Sequence, residues 1–308
     1  MPRHVPPRSR PALATVLPAL LPAFAAWLFV PLPAAADAYP PEHAETRELV
    51  AFVDAAVAAV EARGVEAACK EFHTDGSSWL DGEAYVFVND LEGRSLCHPA
   101  NPSLEGRSLL DLRDPHGKPV VQSFQRETED DGAGWVHYLW PRPGAGTNFH
   151  WKTSYVRRAA APDRGEVIVG SGRYQMPMER LFVVEQVDDA VALLAARGEA
   201  AFPELRDEAG GFRFYDSYVF VMDDEGVHRV NAGFPEHEGR NMLDFTDENG
   251  KQIGREMVAL LAGQESGWVD YMWPRPGDDP ASKKSSYVRK VTLPGGETMI
   301  VGAGIYTD

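Results

Sequence analysis

Two short segments carry the residue types best suited to holding a small ligand. They are Lys152-Thr-Ser-Tyr155 and Lys284-Ser-Ser-Tyr287. A partly enclosed ammonium beside a phenol hydroxyl is a pairing that holds a carboxylate. The alternative for each lysine is a solvated surface position. Upstream of each stands a tryptophan- and tyrosine-rich run, Trp135-Val-His-Tyr138-Leu-Trp140 and Trp268-Val-Asp-Tyr271-Met-Trp273. Alternate residues of a strand face opposite sides, so Val136, Tyr138 and Trp140 share one face, as do Val269, Tyr271 and Trp273. Such a face either packs a core or walls a pocket to which the phenol lends a hydrogen bond. Lys152 and Tyr155 are three apart and fall on opposite faces of a regular strand. Both reach one ligand only if Lys152 precedes the strand or sits on a bulge. His98 is a further hydrogen-bond donor in a loop.

Other chemistries lack their residues. There is no His-Glu-x-x-His, no Gly-x-Ser-x-Gly and no Gly-x-x-x-x-Gly-Lys-Ser/Thr loop. Gly170-Ser-Gly172 recurs as Gly302-Ala-Gly304, which removes a serine nucleophile from the second copy. Asp111-x-x-Asp114-x-x-Gly117 has a spacing reminiscent of a cation loop, but it lacks the alternate carboxylates and distal Glu of a calcium hand. Helix capping by Asp114 and Asp247 accounts for it, with Pro115 and Glu248 as first-turn residues. No enzyme activity, cofactor or metal is expected.

These motifs occur in pairs because residues 85–144 reappear without a gap as 218–277, with 25 identities in 60 positions. A unit of about 130 residues exceeds any solenoid repeat and reads as a duplicated domain. The expected organisation is a leader over 1–36, one domain over 37–176 and a second over 177–308. Each domain opens with an amphipathic helix. Leu49, Val53, Val57 and Val60 mark the first, which Gly64 ends; Leu181, Val184, Val187, Val191 and Leu194 mark the second, which Gly198 ends. A strand follows at Tyr85–Asn89 or Tyr218–Met222, with Asp90–Gly93 and Asp223–Gly226 as hairpin turns. Further strands are expected at Trp135–Trp140, Ser154–Arg158 and Val167–Tyr174, and at Trp268–Trp273, Ser286–Val291 and Met299–Tyr306. Val-x-Gly-x-Gly-x-Tyr in the last strand places glycines where a neighbouring group comes close. The fold class is α+β.

The 308 residues are 44% hydrophobic and 25% charged, as in an ordinary soluble protein. Arg3, Arg8 and Arg10, an apolar run to Leu32 and Ala34-Ala-Ala36 form a secretory signal pattern, which predicts a periplasmic or secreted chain. An uncleaved membrane anchor is the alternative. Without those three arginines, 27 basic residues face 46 acidic ones, a formal charge of −19. That surface disfavours nucleic acid and anionic lipid as partners. With the last strand ending at Tyr306, no cytoplasmic output domain is expected. Cys69 and Cys97 have the apolar repeat equivalents Phe202 and Val230, which favours two buried small hydrophobes over a disulfide.

Tyr-Val-Phe-Val, Asp-x-x-Gly, His98-Pro-Ala-Asn-Pro, Glu-Gly-Arg-x-x-x-Asp-x-x-Asp-x-x-Gly-Lys, Gly-Trp-Val-x-Tyr-x-Trp-Pro, Lys-x-Ser-Tyr-Val and Gly-x-Gly-x-Tyr occur in that order. Together they resemble the Cache sensor domains, in the single-Cache subclass found outside the membrane in bacterial chemoreceptors and histidine kinases. The likeness covers residues 45–308, once per repeat. It implies a PAS-like fold, a central antiparallel sheet behind a long N-terminal helix. It also implies a pocket for a small molecule, often a short organic acid, between the sheet and its overlying loops. On that basis Tyr85, His98, Trp135, Tyr138, Trp140, Lys152 and Tyr155 are the expected ligand residues of the first repeat. Tyr218, Trp268, Tyr271, Trp273, Lys284 and Tyr287 are those of the second, where Asn231-Ala-Gly-Phe replaces His98-Pro-Ala-Asn. The expected function is reversible binding of an organic acid, reported to a separate membrane sensor or transporter. The rivals are an aromatic cage for a quaternary amine, using Trp135 and Trp140, and a module that contacts only protein.

Overall fold

The computed structural model describes residues 39–81, 83–129, 131–144, 146–277 and 280–307. The leader expected over 1–36 lies outside them. In chain order the elements of the first repeat are α1 (Ala44–Arg63), α2 (Val65–Phe72), β1 (Leu80–Asp81), β2 (Ala84–Tyr85), β3 (Phe87–Asp90), β4 (Ser95–Cys97), α3 (Val120–Glu127), β5 (Ala133–Pro141), β6 (Phe149–Ala161) and β7 (Gly165–Tyr174). Those of the second are α4 (Arg180–Arg197), α5 (Phe202–Arg206), β8 (Arg213–Phe214), β9 (Ser217–Tyr218), β10 (Phe220–Asp223), β11 (His228–Asn231), α6 (Ile253–Gly263), β12 (Ser266–Pro274), β13 (Ala281–Thr292) and β14 (Thr298–Tyr306). Each repeat builds a five-stranded antiparallel sheet, in the orders β4-β3-β7-β6-β5 and β11-β10-β14-β13-β12. This is the α+β, PAS-like arrangement expected from the sequence.

The long helix of each repeat lies on one face of its sheet. Leu49, Val53, Val57 and Val60 recur at helical spacing, so one stripe of α1 is buried against Trp135, Ala159, Val167 and Val169. Gly64 ends that helix at φ 80°, and its N–H closes onto the Val60 carbonyl at 2.8 Å. A side chain there would collide with Asp163, whose carboxylate accepts the N–H groups of Val65 (2.8 Å) and Glu66 (3.0 Å) to start α2. In the second repeat Val184, Val187 and Leu194 of α4 pack on Val291, Val301 and Ala303. The opposite faces meet the short helices: Phe124 and Val120 of α3 cover Tyr85, Phe87 and Tyr138, and Ile253 and Met257 of α6 cover Tyr218, Phe220 and Tyr271.

Three local expectations are corrected. Asp114 and Asp247 cap no helix. Asp114 Oδ1 accepts the N–H groups of His116 and Lys118, and Oδ2 accepts that of Leu139 in β5 (2.9, 2.9 and 3.0 Å). Asp247 does the same for Asn249, Lys251 and Met272. Each carboxylate therefore shapes a turn and pins it to the sheet. Cys69 and Cys97 form a disulfide, with Cα atoms 5.8 Å apart; an apolar equivalent in the other repeat shows only that both sites are enclosed. The strand expected at Tyr85–Asn89 is interrupted at Val86, so Tyr85 belongs to the small β1–β2 hairpin.

Candidate functional site

The site follows from strand register. Tyr138 in β5 pairs with Lys152 in β6, and Lys152 pairs with Tyr174 in β7. Directly paired residues share a face, so the three side chains form a row across the sheet. Tyr271, Lys284 and Tyr306 form the same row in the second repeat. The next row on that face is Val136, Ser154 and Gly172, matched by Val269, Ser286 and Gly304. The glycines are required by packing: a Cβ on Gly172 would lie 2.7 Å from Lys152 Cε, and one on Gly304 2.7 Å from Lys284 Cε.

Both ammonium groups are enclosed. Lys152 is 0% and Lys284 1% exposed, and neither Nζ has a hydrogen-bond partner among the described residues. What they have instead is aromatic faces. Lys152 Nζ stands 3.8 Å from the centre of the Tyr85 ring and 5.2 Å from that of Tyr174. Lys284 Nζ stands 3.8 Å from Tyr218 and 5.1 Å from Tyr306. Burial pushes each lysine down to about 7, against a smaller opposing pull from Glu83 or Asp216. The phenols of Tyr138 and Tyr271, raised by burial, meet the hydroxyls of Ser154 (2.9 Å) and Ser286 (2.8 Å).

His98 is buried with its ring 5.0 Å from that of Tyr85. Its Nδ1 accepts the N–H of Asn101 at 3.0 Å, and burial followed by Lys152 lowers its pKa to about 4. It is therefore neutral near pH 7, with Nε2 carrying the proton. Asn231 takes over its backbone role, its Oδ1 accepting the N–H of Phe234 at 2.9 Å. Beside it is a cavity of about 20 Å³ whose lining includes Tyr218, His228, Asn231, Met257, Tyr271 and Trp273. That is room for about one water, so a larger ligand has to push side chains apart. At the rim, Arg142 pairs with Glu83 and lies 5.2 Å from the Tyr174 ring, while Arg275 pairs with Asp216 and lies 4.5 Å from that of Tyr306.

Tyr85, His98, Tyr138, Trp140 and Lys152 thus lie on one side of the first sheet, and Tyr218, Tyr271, Trp273 and Lys284 on one side of the second. Trp135 and Tyr155 lie on the other side, 4.7 Å apart and packed under α1. Trp268 and Tyr287 likewise lie under α4, 5.4 Å apart. The reason is that β6 runs regularly from Phe149, with Lys152 well inside it and without a bulge. Lys152 and Tyr155 keep the opposite orientations of any residues three apart. The separation of Trp135 from Trp140 also dismantles the proposed amine cage. Sequence reasoning missed Tyr174, Tyr306, Ser154, Ser286 and the rim arginines, although the two tyrosines end the quoted Gly-x-Gly-x-Tyr motif.

The Cache domain profile matches residues 65–181 and 203–308. The chain belongs to the Cache domain family. This Cache protein is 35% identical over 122 residues to the methyl-accepting chemotaxis protein McpP of Pseudomonas putida, covering 38% of this chain and 22% of that one. It is 33% identical over 92 residues to the sensor histidine kinase MctS of Rhizobium johnstonii, covering 30% and 19%. The chain thus spans about a fifth of the length of these curated relatives. Among solved structures it is 32% identical to a Cache chemosensory domain studied for carboxylic acid recognition, covering 43% of this chain and 95% of that one, with a TM-score of 0.37. The family is one of sensor domains, not a class of enzymes. No helix among the described residues is long and apolar enough to cross a membrane.

Proposed function

We propose that each Cache repeat binds a short organic carboxylate, Lys152 or Lys284 supplying the counter-charge and the neighbouring phenols the walls. The observation that carries this reading is the pair of buried ammonium groups without a hydrogen-bond acceptor among the described residues, found at the same register position in both repeats. A buried cation with no acceptor is unfavourable, and a carboxylate entering between Tyr138, Tyr174 and Tyr85 relieves it with a charge-assisted hydrogen bond. The Tyr138–Ser154 hydroxyl pair offers the second carboxylate oxygen a donor. Aromatic walls on three sides favour acids of a few carbon atoms. The two domains, 37–176 and 177–308, then act as separate binding units. Their contacts differ at His98 and Asn231, a neutral imidazole in one and an amide in the other. Further parts of the proposal are export directed by residues 1–36 and reporting of occupancy to a separate membrane sensor or transporter.

The test is isothermal titration of the protein with two- to four-carbon monocarboxylates, amino acids and quaternary amines. Lys152→Met, Lys284→Met and the double variant are measured alongside. Acid binding that each single variant removes from one site, and the double variant from both, supports the proposal. Amine binding that survives the double variant overturns it.

A further inference from the structure

Next to His98, on the α1 side of the first sheet, the first repeat gathers four metal-ligating side chains from three segments. Cys69 lies on α2 and His73, one helical turn later, on its C-terminal cap. Cys97 is the last residue of β4, and Glu105 stands in the loop beyond it. One ligand atom from each lies within 4.8 Å of all the others. A tetrahedral zinc ion with bonds of about 2.0–2.3 Å holds its ligands roughly 3.3–3.8 Å apart, so once the Cys69–Cys97 bond is opened small side-chain rotations bring these four onto one centre. The cluster also has an entrance: Cys69, His73 and Glu105 line an open cleft of about 440 Å³.

The second repeat sharpens the point. Where the first has Cys69, His73 and Cys97, the second has Phe202, Arg206 and Val230. All three thiol or imidazole ligands are absent together, and only the carboxylate persists, as Glu238. There Glu238 accepts Arg206 Nε at 2.9 Å and the Asn231 N–H at 3.0 Å, an arrangement complete without a metal. In the first repeat Glu105 Oε1 meets His73 Nε2 at 2.7 Å and accepts the His98 N–H at 2.6 Å. That amide is positioned as the outer hydrogen bond that orients a ligating carboxylate.

We propose that Cys69, His73, Cys97 and Glu105 form a binding site for one thiophilic divalent ion, zinc in the first instance, whenever the Cys69–Cys97 disulfide is reduced. The same residues then hold two mutually exclusive states. An external dithiol attacks the sulfur of Cys69, the less buried cysteine and the one that lines the cleft, and Cys97 leaves as thiolate. The second thiol of the reductant resolves the mixed disulfide and frees Cys69. Two electrons pass to the cysteines and the reductant ends as its own disulfide. Zn²⁺ then binds two thiolates, neutral His73 and the Glu105 carboxylate, releasing the thiol protons to solvent.

The test uses the full chain, without a metal-binding tag, in its oxidised form and after phosphine reduction with anaerobic removal of the reductant. Each form is dialysed against Zn²⁺ for elemental analysis and titrated with Co²⁺ as a spectroscopic probe. The expected result is one ion per reduced chain, with a thiolate-to-cobalt charge-transfer band, and none per oxidised chain. His73→Ala keeps the disulfide and so folds in the oxidised form. After reduction it should bind the ion at least about 100-fold more weakly, beyond the loss that outer-shell changes bring. Cys69→Ser with Cys97→Ser should bind none. A reduced chain that regains its circular dichroism only with Zn²⁺ supports the site equally. No uptake by the reduced chain, or uptake that His73→Ala leaves unchanged, overturns it.

Discussion

The ammonium of Lys152 stands 3.8 Å above the ring of Tyr85, fully enclosed, with no hydrogen-bond partner among the described residues. An aromatic face returns about 2 kcal/mol to a desolvated cation, against a burial penalty of several kcal/mol per ion. The ammonium is therefore held in an unfavourable electrostatic state, which on the proposed function an anion corrects. Lys152→Met keeps the packed stem and removes the charge. It is expected to raise the melting temperature of the ligand-free protein near pH 6.5 by several degrees, on the order of 1–3 kcal/mol. Calorimetry with and without a short acid checks both this and the loss of the ligand response in the first repeat. A variant less stable than the parent would contradict the argument.

Proton linkage gives a second expectation. Lys152 and Lys284 titrate in the folded protein at about 7, and Lys118, buried against the His137 carbonyl, at about 8. All three lie below the ordinary lysine value, so between pH 7 and roughly 10 the unfolded chain carries more protons than the folded one. These three lysines make stability rise with pH in that window, by up to about 1.4 kcal/mol per pH unit each, opposed by Glu127 and Glu185, whose burial-raised carboxyls keep protons in the folded chain. Urea denaturation at pH 7, 8 and 9 measures the slope.

Carboxylate binding runs the other way. Above pH 7 a free pocket holds neutral lysine, and a bound anion must bring a proton with it. Affinity is expected to fall about tenfold per pH unit from pH 7.5 upward, with proton uptake on binding. Titrations in buffers of different ionisation enthalpy report that uptake directly. A flat affinity profile between pH 7 and 9 would remove the lysine from the binding reaction.

The two faces of each sheet make separable predictions. Tyr155→Phe and Tyr287→Phe lie under α1 and α4 and should leave acid affinity within about twofold. Tyr138→Phe breaks the contact with Ser154 Oγ and should weaken the first site about tenfold, the equivalent of one ordinary hydrogen bond. Gly172→Ala drives a methyl group towards Lys152 Cε and Ser154 Oγ, so it should abolish the first site at a stability cost of about 1–3 kcal/mol. Gly304→Ala should do the same to the second site alone.

The disulfide closes a loop between residues 28 apart in sequence. On chain-entropy grounds, Cys69→Ala with Cys97→Ala should destabilise the first repeat by about 3–4 kcal/mol. Hydrogen exchange should locate the loss in α2, β4 and their surroundings, while protection in β12–β14 stays unchanged. Equal loosening of both sheets would mean that the two repeats unfold as one unit.

Much of the fold was legible. A strand's alternation is written into the chain, so the shared face of Val136, Tyr138 and Trp140 could be read directly, and the opposition of Lys152 to Tyr155 followed from the same rule. That opposition was right, and the bulge or earlier position invoked to avoid it does not exist: β6 begins at Phe149, where its pairing with Pro141 starts. The helices were equally readable because Leu49, Val53, Val57 and Val60 repeat at 3.6-residue intervals. The Asp114 staple was not, since its third hydrogen bond goes to Leu139, 25 residues away.

By itself, then, the sequence determined the duplicated unit, its α+β class and which residues of each strand face together, because helical and strand periodicity are local properties of a chain. Only the tertiary structure decided that Tyr85 and Tyr174 meet Lys152, and that Cys69 meets Cys97. Those partners come from separate segments, and the pairing of strands and burial of whole faces, acting over the entire domain, bring them to one place.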